Sequence, residues 1–141
     1  MADTAFMQAA AEKTITTAIV EDIRDIREGL TTLVNFTEGF ACNGSYRSME
    51  EAIPRIKGNV PDVLLSDIGL PGMNGIDGIR ILKELYPEMT VLMLTVYDDD
   101  ERIFDALCAG ASGYLLKRTA PAKLLENIRE AVEGGAPMSP E

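Results

Sequence analysis

The chain has 141 residues, 46% of them hydrophobic and 26% charged, with a net charge of −10 at pH 7 and no histidine. This is the size of one ordinary domain, able to bury roughly 70% of the surface its unfolded form exposes, and its composition excludes a disordered or fibrous class. The acidic balance argues against gripping nucleic acid, which needs a basic face, and the lack of histidine removes the usual general base, the Ser-His triad and a phosphohistidine nucleophile.

The first segment, MADTAFMQAAAEKT, carries acids where a signal peptide has basic residues, and no apolar run reaches the length of a membrane span. A cytoplasmic chain with no membrane contact is the expectation. TITTAIV (14–20) is β-branched and apolar, reads as a buried strand, and runs into Glu21 and Asp22. A helical period follows, with Ile23, Ile26, Leu30, Leu33 and Val34 on the predicted inner face. FACNG (40–44) is a short strand, and Ser48 to Glu51 fits a capping box for a helix facing inward through Met49, Ala52, Ile53 and Ile56. Pro54 is expected to kink that helix or delay its start.

DVLLS (62–66) is the third strand, followed by a predicted helix over 75–86 with Ile76, Ile79, Leu82 and Leu85 inward. TVLMLT (90–95) is a fourth strand, 98–110 the next helix, and SGYLLK (112–117) the fifth strand. The four acids at 98–101 read as first-turn residues favoured by the helix dipole rather than as a metal site. From Pro121 the chain is helical again through Leu124, Leu125, Ile128, Ala131 and Val132, until Gly134 and Gly135 stop it. Cys42 and Cys108, far apart and with no histidine to complete a metal site, read as small, partly buried apolar residues.

Strands alternating with helices imply α/β architecture, a five-stranded parallel sheet covered on both faces, because parallel strands need crossover connections. In such sheets ligands sit beyond the carboxyl ends of the strands. Standing at those ends are Glu21 and Asp22, Asp67, Thr95 and Lys117. Each alone is a common cap or turn residue, but together they form a set. Three carboxylates in one cleft repel one another unless a cation joins them, and an all-oxygen donor set favours a hard ion such as Mg2+. A divalent ion and the Lys117 ammonium neutralise the three carboxylates. Such a site attracts a phosphoryl group, which an oxygen of Asp67 can receive as an acyl phosphate. Gly72, Gly75 and Gly78 match neither the dinucleotide nor the nucleotide-triphosphate glycine pattern.

With these residues in hand, the sequence resembles the receiver domain of two-component response regulators. "DIGLPGMNG" and "ASGYLLKR" resemble in particular the branch that carries a C-terminal helix-turn-helix DNA-binding domain. The resemblance implies a flavodoxin-like strand order 2-1-3-4-5, an N-terminal extension over 1–14, a receiver domain over 15–134, and the start of a linker over 135–141 to a missing effector domain. It implies Asp67 as phosphoacceptor. Glu21, Asp22, Asp67 and the backbone carbonyl of Gly69 become the Mg2+ ligands, Thr95 and Lys117 the phosphoryl partners, and Thr95 with Tyr114 the switch pair, Tyr114 turning inward. The implied partners are a sensor histidine kinase, a second copy of the chain on phosphorylation, and DNA only through the missing domain. Such a chain is a phosphoacceptor switch with self-catalysed phosphotransfer and dephosphorylation rather than an enzyme of the ordinary kind.

Two departures stand out. Arg118 follows Lys117 where the family often has proline, so a cis bond there is of the costly non-proline kind. Gly69 puts no side chain two residues past Asp67, where the family often has one that screens water; Tyr97 is a candidate for part of that screening. Competing expectations are a phosphate-independent receiver-like module and an Mg2+-dependent aspartyl-nucleophile phosphohydrolase. The second needs another aspartate where Gly69 stands.

Overall fold

The computed structural model describes residues 14–96 and 100–134. The expectations for 1–13, Tyr97, Asp98, Asp99 and 135–141 fall outside them. Five strands, β1 (Ile15–Val20), β2 (Phe40–Tyr46), β3 (Val63–Asp67), β4 (Thr90–Thr95) and β5 (Gly113–Leu116), alternate with α1 (Arg24–Asn35), α2 (Met49–Ile56), α3 (Gly75–Leu85), α4 (Asp100–Ala109) and α5 (Pro121–Val132). All strand pairs are parallel and the order is β2-β1-β3-β4-β5, as the resemblance implies. β3 is buried along its whole length and β4 from Val91 onward, which is why both read as unbroken apolar runs.

Alternation along the strands divides the core in two. Ala18, Val20, Leu64, Val91, Met93 and Leu116 pack against Met49, Ala52 and Ile56 of α2, Ile79 and Leu82 of α3, and Ile103 and Ala106 of α4. Ile15, Ile19, Val63, Leu65, Leu92, Leu94 and Leu115 face the other way, onto Val34 of α1 and Leu124, Leu125, Ile128 and Ala131 of α5.

Several sequence expectations are corrected. β2 continues past Gly44 to Tyr46 because its register with β1 shifts between Thr17 and Ala18, leaving Asn43 as an extra residue. α2 starts on time at Met49 and runs through Pro54. Ser48 Oγ accepts from Glu51 N at 3.1 Å, while Glu51 Oε1 accepts from Arg47 N at 2.8 Å, so the box closes one residue earlier than usual. Pro54 removes one donor from a helix that ends two residues later, where the loss is small. α4 is described from Asp100, and its predicted start at 98 lies outside the described residues. Leu85, predicted to face inward, is 57% exposed at the last turn of α3. Cys108 is exposed on α4, whereas Cys42 is half-buried. On α1 Val34 is buried, Leu30 and Leu33 are partly covered, and Ile23 is 50% exposed. Among the described residues no helix is long and apolar enough to cross a membrane.

Candidate functional site

The carboxyl ends of β1, β3, β4 and β5 meet at one cleft. β3 carries Asp67 out of the core with its backbone fixed on the neighbouring strand, Ile68 N donating to Leu94 O at 3.0 Å. α3 then presses on that strand end. A Cβ on Gly75 would stand 2.4 Å from the Asp67 carbonyl oxygen, so only glycine permits the approach. Asn74 caps α3, its Oδ1 accepting from Asp77 N at 2.9 Å. β5 is fastened to β4 by Lys117 N donating to Thr95 O at 2.9 Å, which sets the Lys117 side chain over the cleft.

Glu21 is fully buried, Asp67 and Thr95 are nearly so, and Asp22 is exposed. One ligand oxygen from each of Glu21, Asp22 and Asp67 can be chosen so that all lie within 4.8 Å of one another. Lys117 Nζ stands 2.6 Å from Glu21 Oε1 and 3.3 Å from Asp67 Oδ1. Glu21 Oε1, sealed from solvent, makes no hydrogen bond of regular geometry and is held by that ion pair. Its other oxygen, Oε2, accepts from Ile23 N at 3.0 Å. Asp67 Oδ1 also accepts from Gly69 N at 3.3 Å.

Burial pushes the Glu21 carboxyl above its usual value of 4.5, against the lowering effect of Lys117 and the Ile23 amide. Burial by itself would lower Lys117. The close Glu21 carboxylate and the attraction of Asp67 outweigh it, and the ammonium is held above its usual 10.5. The site is thus a carboxylate cluster with one resident cation. Its all-oxygen donor set and spacing suit a small hard divalent ion.

Tyr114 is buried on the same face as α2, α3 and α4. The structure therefore has it inside already. Gly69 has open space beside it, bounded by Arg102, and no carboxylate stands two residues after Asp67.

Three residues near the site escaped sequence reasoning. Arg27 of α1 donates from Nη1 to the carbonyls of Glu21 at 2.8 Å and Asp22 at 3.4 Å. Glu50 of α2 accepts from Met73 N at 2.9 Å and so ties down the loop after Asp67. Arg102 of α4 donates to Ile68 O at 3.1 Å. All three join a side chain to the backbone of another element, and such bonds leave no periodic signal. The run of charges in the first turns of α1 and α4 is the sole trace.

A doubly wound parallel sheet whose strand ends gather Glu21, Asp22, Asp67, Thr95 and Lys117 defines a class of phosphoryl-handling α/β domains. Residues 17–129 match the family described as response regulator receiver domain, and the chain belongs to it. It is 36% identical over 124 residues to the transcriptional regulatory protein LnrK of Bacillus subtilis, covering 87% of this chain and 56% of that protein. It is 33% identical over 130 residues to the transcriptional regulatory protein DegU of Brevibacillus brevis, covering 92% of this chain and 55% of that protein. The chain thus spans about half the length of the curated relatives it matches. Among solved structures, a LuxR-family two-component response regulator from an Aurantimonas species superposes with a TM-score of 0.85 at 30% identity, covering 91% of each chain. A CheY-like receiver domain protein from Methanospirillum hungatei gives 0.79 at 29% identity, covering 86% of this chain and 95% of that one. Those relatives are named as transcriptional regulators, and Gly69 stands where a phosphohydrolase of this kind needs its second aspartate.

Proposed function

We propose that the chain is a phosphorylation-activated switch in which Asp67 takes a phosphoryl group from the phosphohistidine of a sensor histidine kinase, in an Mg2+-dependent reaction, and passes the change to a transcriptional output. The observation that carries this reading is the Lys117 ammonium set between Glu21 and Asp67 inside a cluster of three carboxylates. Glu21, Asp22, Asp67 and the carbonyl of Gly69 are the oxygens that would hold Mg2+. When bound, that ion supplies the charge neutralisation the incoming phosphoryl oxygens need.

An Asp67 oxygen attacks phosphorus in line, the P–N bond breaks, and its electron pair returns to the imidazole nitrogen of the donor. The new acyl phosphate brings acceptors that compete with Glu21 for Lys117 and recruit the Thr95 hydroxyl. Thr95 is followed by Val96, which is 60% exposed, so core packing at the next residue does not oppose a small draw on Thr95. Tyr114, buried in the same cluster as Ile103 and Ala106 of α4, is the switch aromatic of this reading. Phosphorylation biases a two-state surface in this way when its charge event sits beside a movable element.

The half-covered face of α1 supports the kinase as donor. Ile26, Leu30 and Leu33 line a groove of about 480 Å3 that also contains Lys117, Thr119 and Pro121. An apolar groove that shares Lys117 with the cleft suits a docking helix that delivers a phosphoryl group. We read the additional length of the relatives as their output region, through which DNA would be reached, and we place the protein in the cytoplasm with its kinase. Phosphate-promoted self-association belongs to the same reading.

The experiment is incubation with Mg2+ and acetyl phosphate, followed by intact mass measurement and hydroxylamine treatment. One hydroxylamine-sensitive phosphoryl group, absent from Asp67→Asn and from samples with chelator, is the expected result. No modification, or its survival in Asp67→Asn, overturns the proposal.

A further inference from the structure

The two acids that follow β1 are held unequally. Glu21 is tied down at its amide and at both carboxylate oxygens: N donates to Tyr46 O at 2.9 Å, Oε2 accepts from Ile23 N at 3.0 Å, and Oε1 lies 2.6 Å from Lys117 Nζ. Asp22 is exposed, and Lys117 pairs with Glu21 and Asp67 but not with it. Among the described residues, the one hydrogen bond that reaches Asp22 goes to its carbonyl oxygen, from Arg27 Nη1 at 3.4 Å. The same nitrogen donates to Glu21 O at 2.8 Å. Ile23, the N-cap of α1, has no side-chain cap of its own, so Arg27 ties the helix to the strand end from one turn further in.

The carbonyls of Glu21 and Asp22 belong to the peptide planes on either side of the Asp22 Cα. Each plane is rigid, so a donor that holds both oxygens restricts φ and ψ at Asp22 and thereby sets where its carboxylate points. That carboxylate is repelled by its two neighbours and makes no hydrogen bond among the described residues, yet one of its oxygens lies within 4.8 Å of oxygens of Glu21 and Asp67. Arg27 is itself anchored, its amide donating to Ile23 O at 2.9 Å and its carbonyl accepting from Thr31 Oγ1 at 2.8 Å. Resting on the reading of the cluster as an Mg2+ site, we propose that Arg27 is a positioning residue for Asp22, fixing the turn at 21–23 so that Asp22 is offered to the ion together with Glu21 and Asp67. Its charge works the other way. A guanidinium bonded to the backbone of two cluster residues repels an incoming cation, so placement and charge predict opposite signs when Arg27 is removed.

The test is calorimetric titration of the chain with Mg2+, with thermal midpoints measured in chelator. Arg27→Met, which keeps much of the stem and loses the donors, should bind Mg2+ about tenfold more weakly than the parent, the usual cost of losing a group that orients a metal ligand. Arg27→Gln, too short to hold both carbonyls, should do the same and stands in if the first variant does not fold. Combined with Asp22→Asn, Arg27→Met should cause no further loss beyond that of Asp22→Asn alone, because no carboxylate is left at 22 to place. A second loss of similar size in the double variant overturns the inference. Tighter binding by Arg27→Met means that charge outweighs placement and overturns it as well. So does a lower midpoint in chelator with parental Mg2+ affinity, which marks a tether of α1 alone. Failure of the parent to bind Mg2+ defeats the Mg2+ reading of the cluster and this inference together, while parental binding with an indifferent Arg27→Met defeats this inference alone.

Discussion

Lys117 Nζ lies closer to Glu21 Oε1, at 2.6 Å, than to Asp67 Oδ1, at 3.3 Å. The tightest ion pair of the cleft is therefore made with the more deeply buried carboxylate. Removing one partner of such a pair leaves an uncompensated buried charge. Lys117→Met is expected to lower unfolding stability by about 3 kcal/mol at neutral pH, measured by urea denaturation, and Glu21→Gln added to it should recover much of the loss. The pH dependence has a definite sign. Glu21 is already raised above 4.5, and without Lys117 it rises further. A raised folded value contributes stability below the unfolded one and loses it as pH climbs, so the Lys117→Met defect should shrink toward pH 4.5. In the parent, Lys117 is raised above 10.5, so its contribution holds through neutral pH and is lost only above that value.

Asp22 is the exposed member of the carboxylate cluster. Its loss removes one candidate ligand oxygen without opening the core. Asp22→Asn should weaken Mg2+ binding at least tenfold, measured by calorimetric titration, while moving the thermal midpoint by no more than a degree or two. An equal loss of affinity and stability would mean that Asp22 serves the fold.

The sheet and the strand-end residues were legible because parallel strands buried on both faces stay mostly apolar and hold their charged residues where they end. The polar residue that ends each one, Glu21 after Val20 or Asp67 after Ser66, therefore marks the cleft. Periodicity was a weaker guide on the helices. It finds an apolar stripe on α1 but does not say what covers it, and Ile23, at the N-cap, is 50% exposed. Leu85 failed likewise: it closes the last turn of α3 and is 57% exposed. Arg27, Glu50 and Arg102 were illegible for another reason: each bonds a backbone that only the assembled fold brings near.

Glu50 gives a prediction of opposite sign to Glu21. The Met73 amide bonded to its carboxylate holds its value below 4.5. A lowered folded value contributes stability above the unfolded one and loses it as pH falls through the folded one. Glu50→Gln should thus be less stable than the parent at pH 7 and converge with it on acidification below 4.5. Amide exchange at Met73 should quicken in the variant at pH 7 and match the parent at low pH. Unchanged exchange at pH 7 would remove Glu50 from the loop's support.

Two glycines of α3 separate a clash with backbone from a clash with side chain. On Gly75 a Cβ would meet the Asp67 carbonyl oxygen at 2.4 Å and Ile68 Cα at 3.2 Å. Neither can yield without moving the strand end that carries Asp67. On Gly78 the first contacts are Met49 Cγ and Sδ at 2.4 Å, which belong to a side chain with three rotatable bonds. Gly78→Ala also gains helix propensity. Gly75→Ala should therefore cost about 2 to 3 kcal/mol and slow phosphorylation by acetyl phosphate, since Asp67 shifts relative to Glu21 and Lys117. Gly78→Ala should stay within about 1 kcal/mol of the parent and phosphorylate at the parent rate. Equal phosphorylation rates for the two variants would show that the placement of Asp67 does not depend on how closely α3 seats against β3.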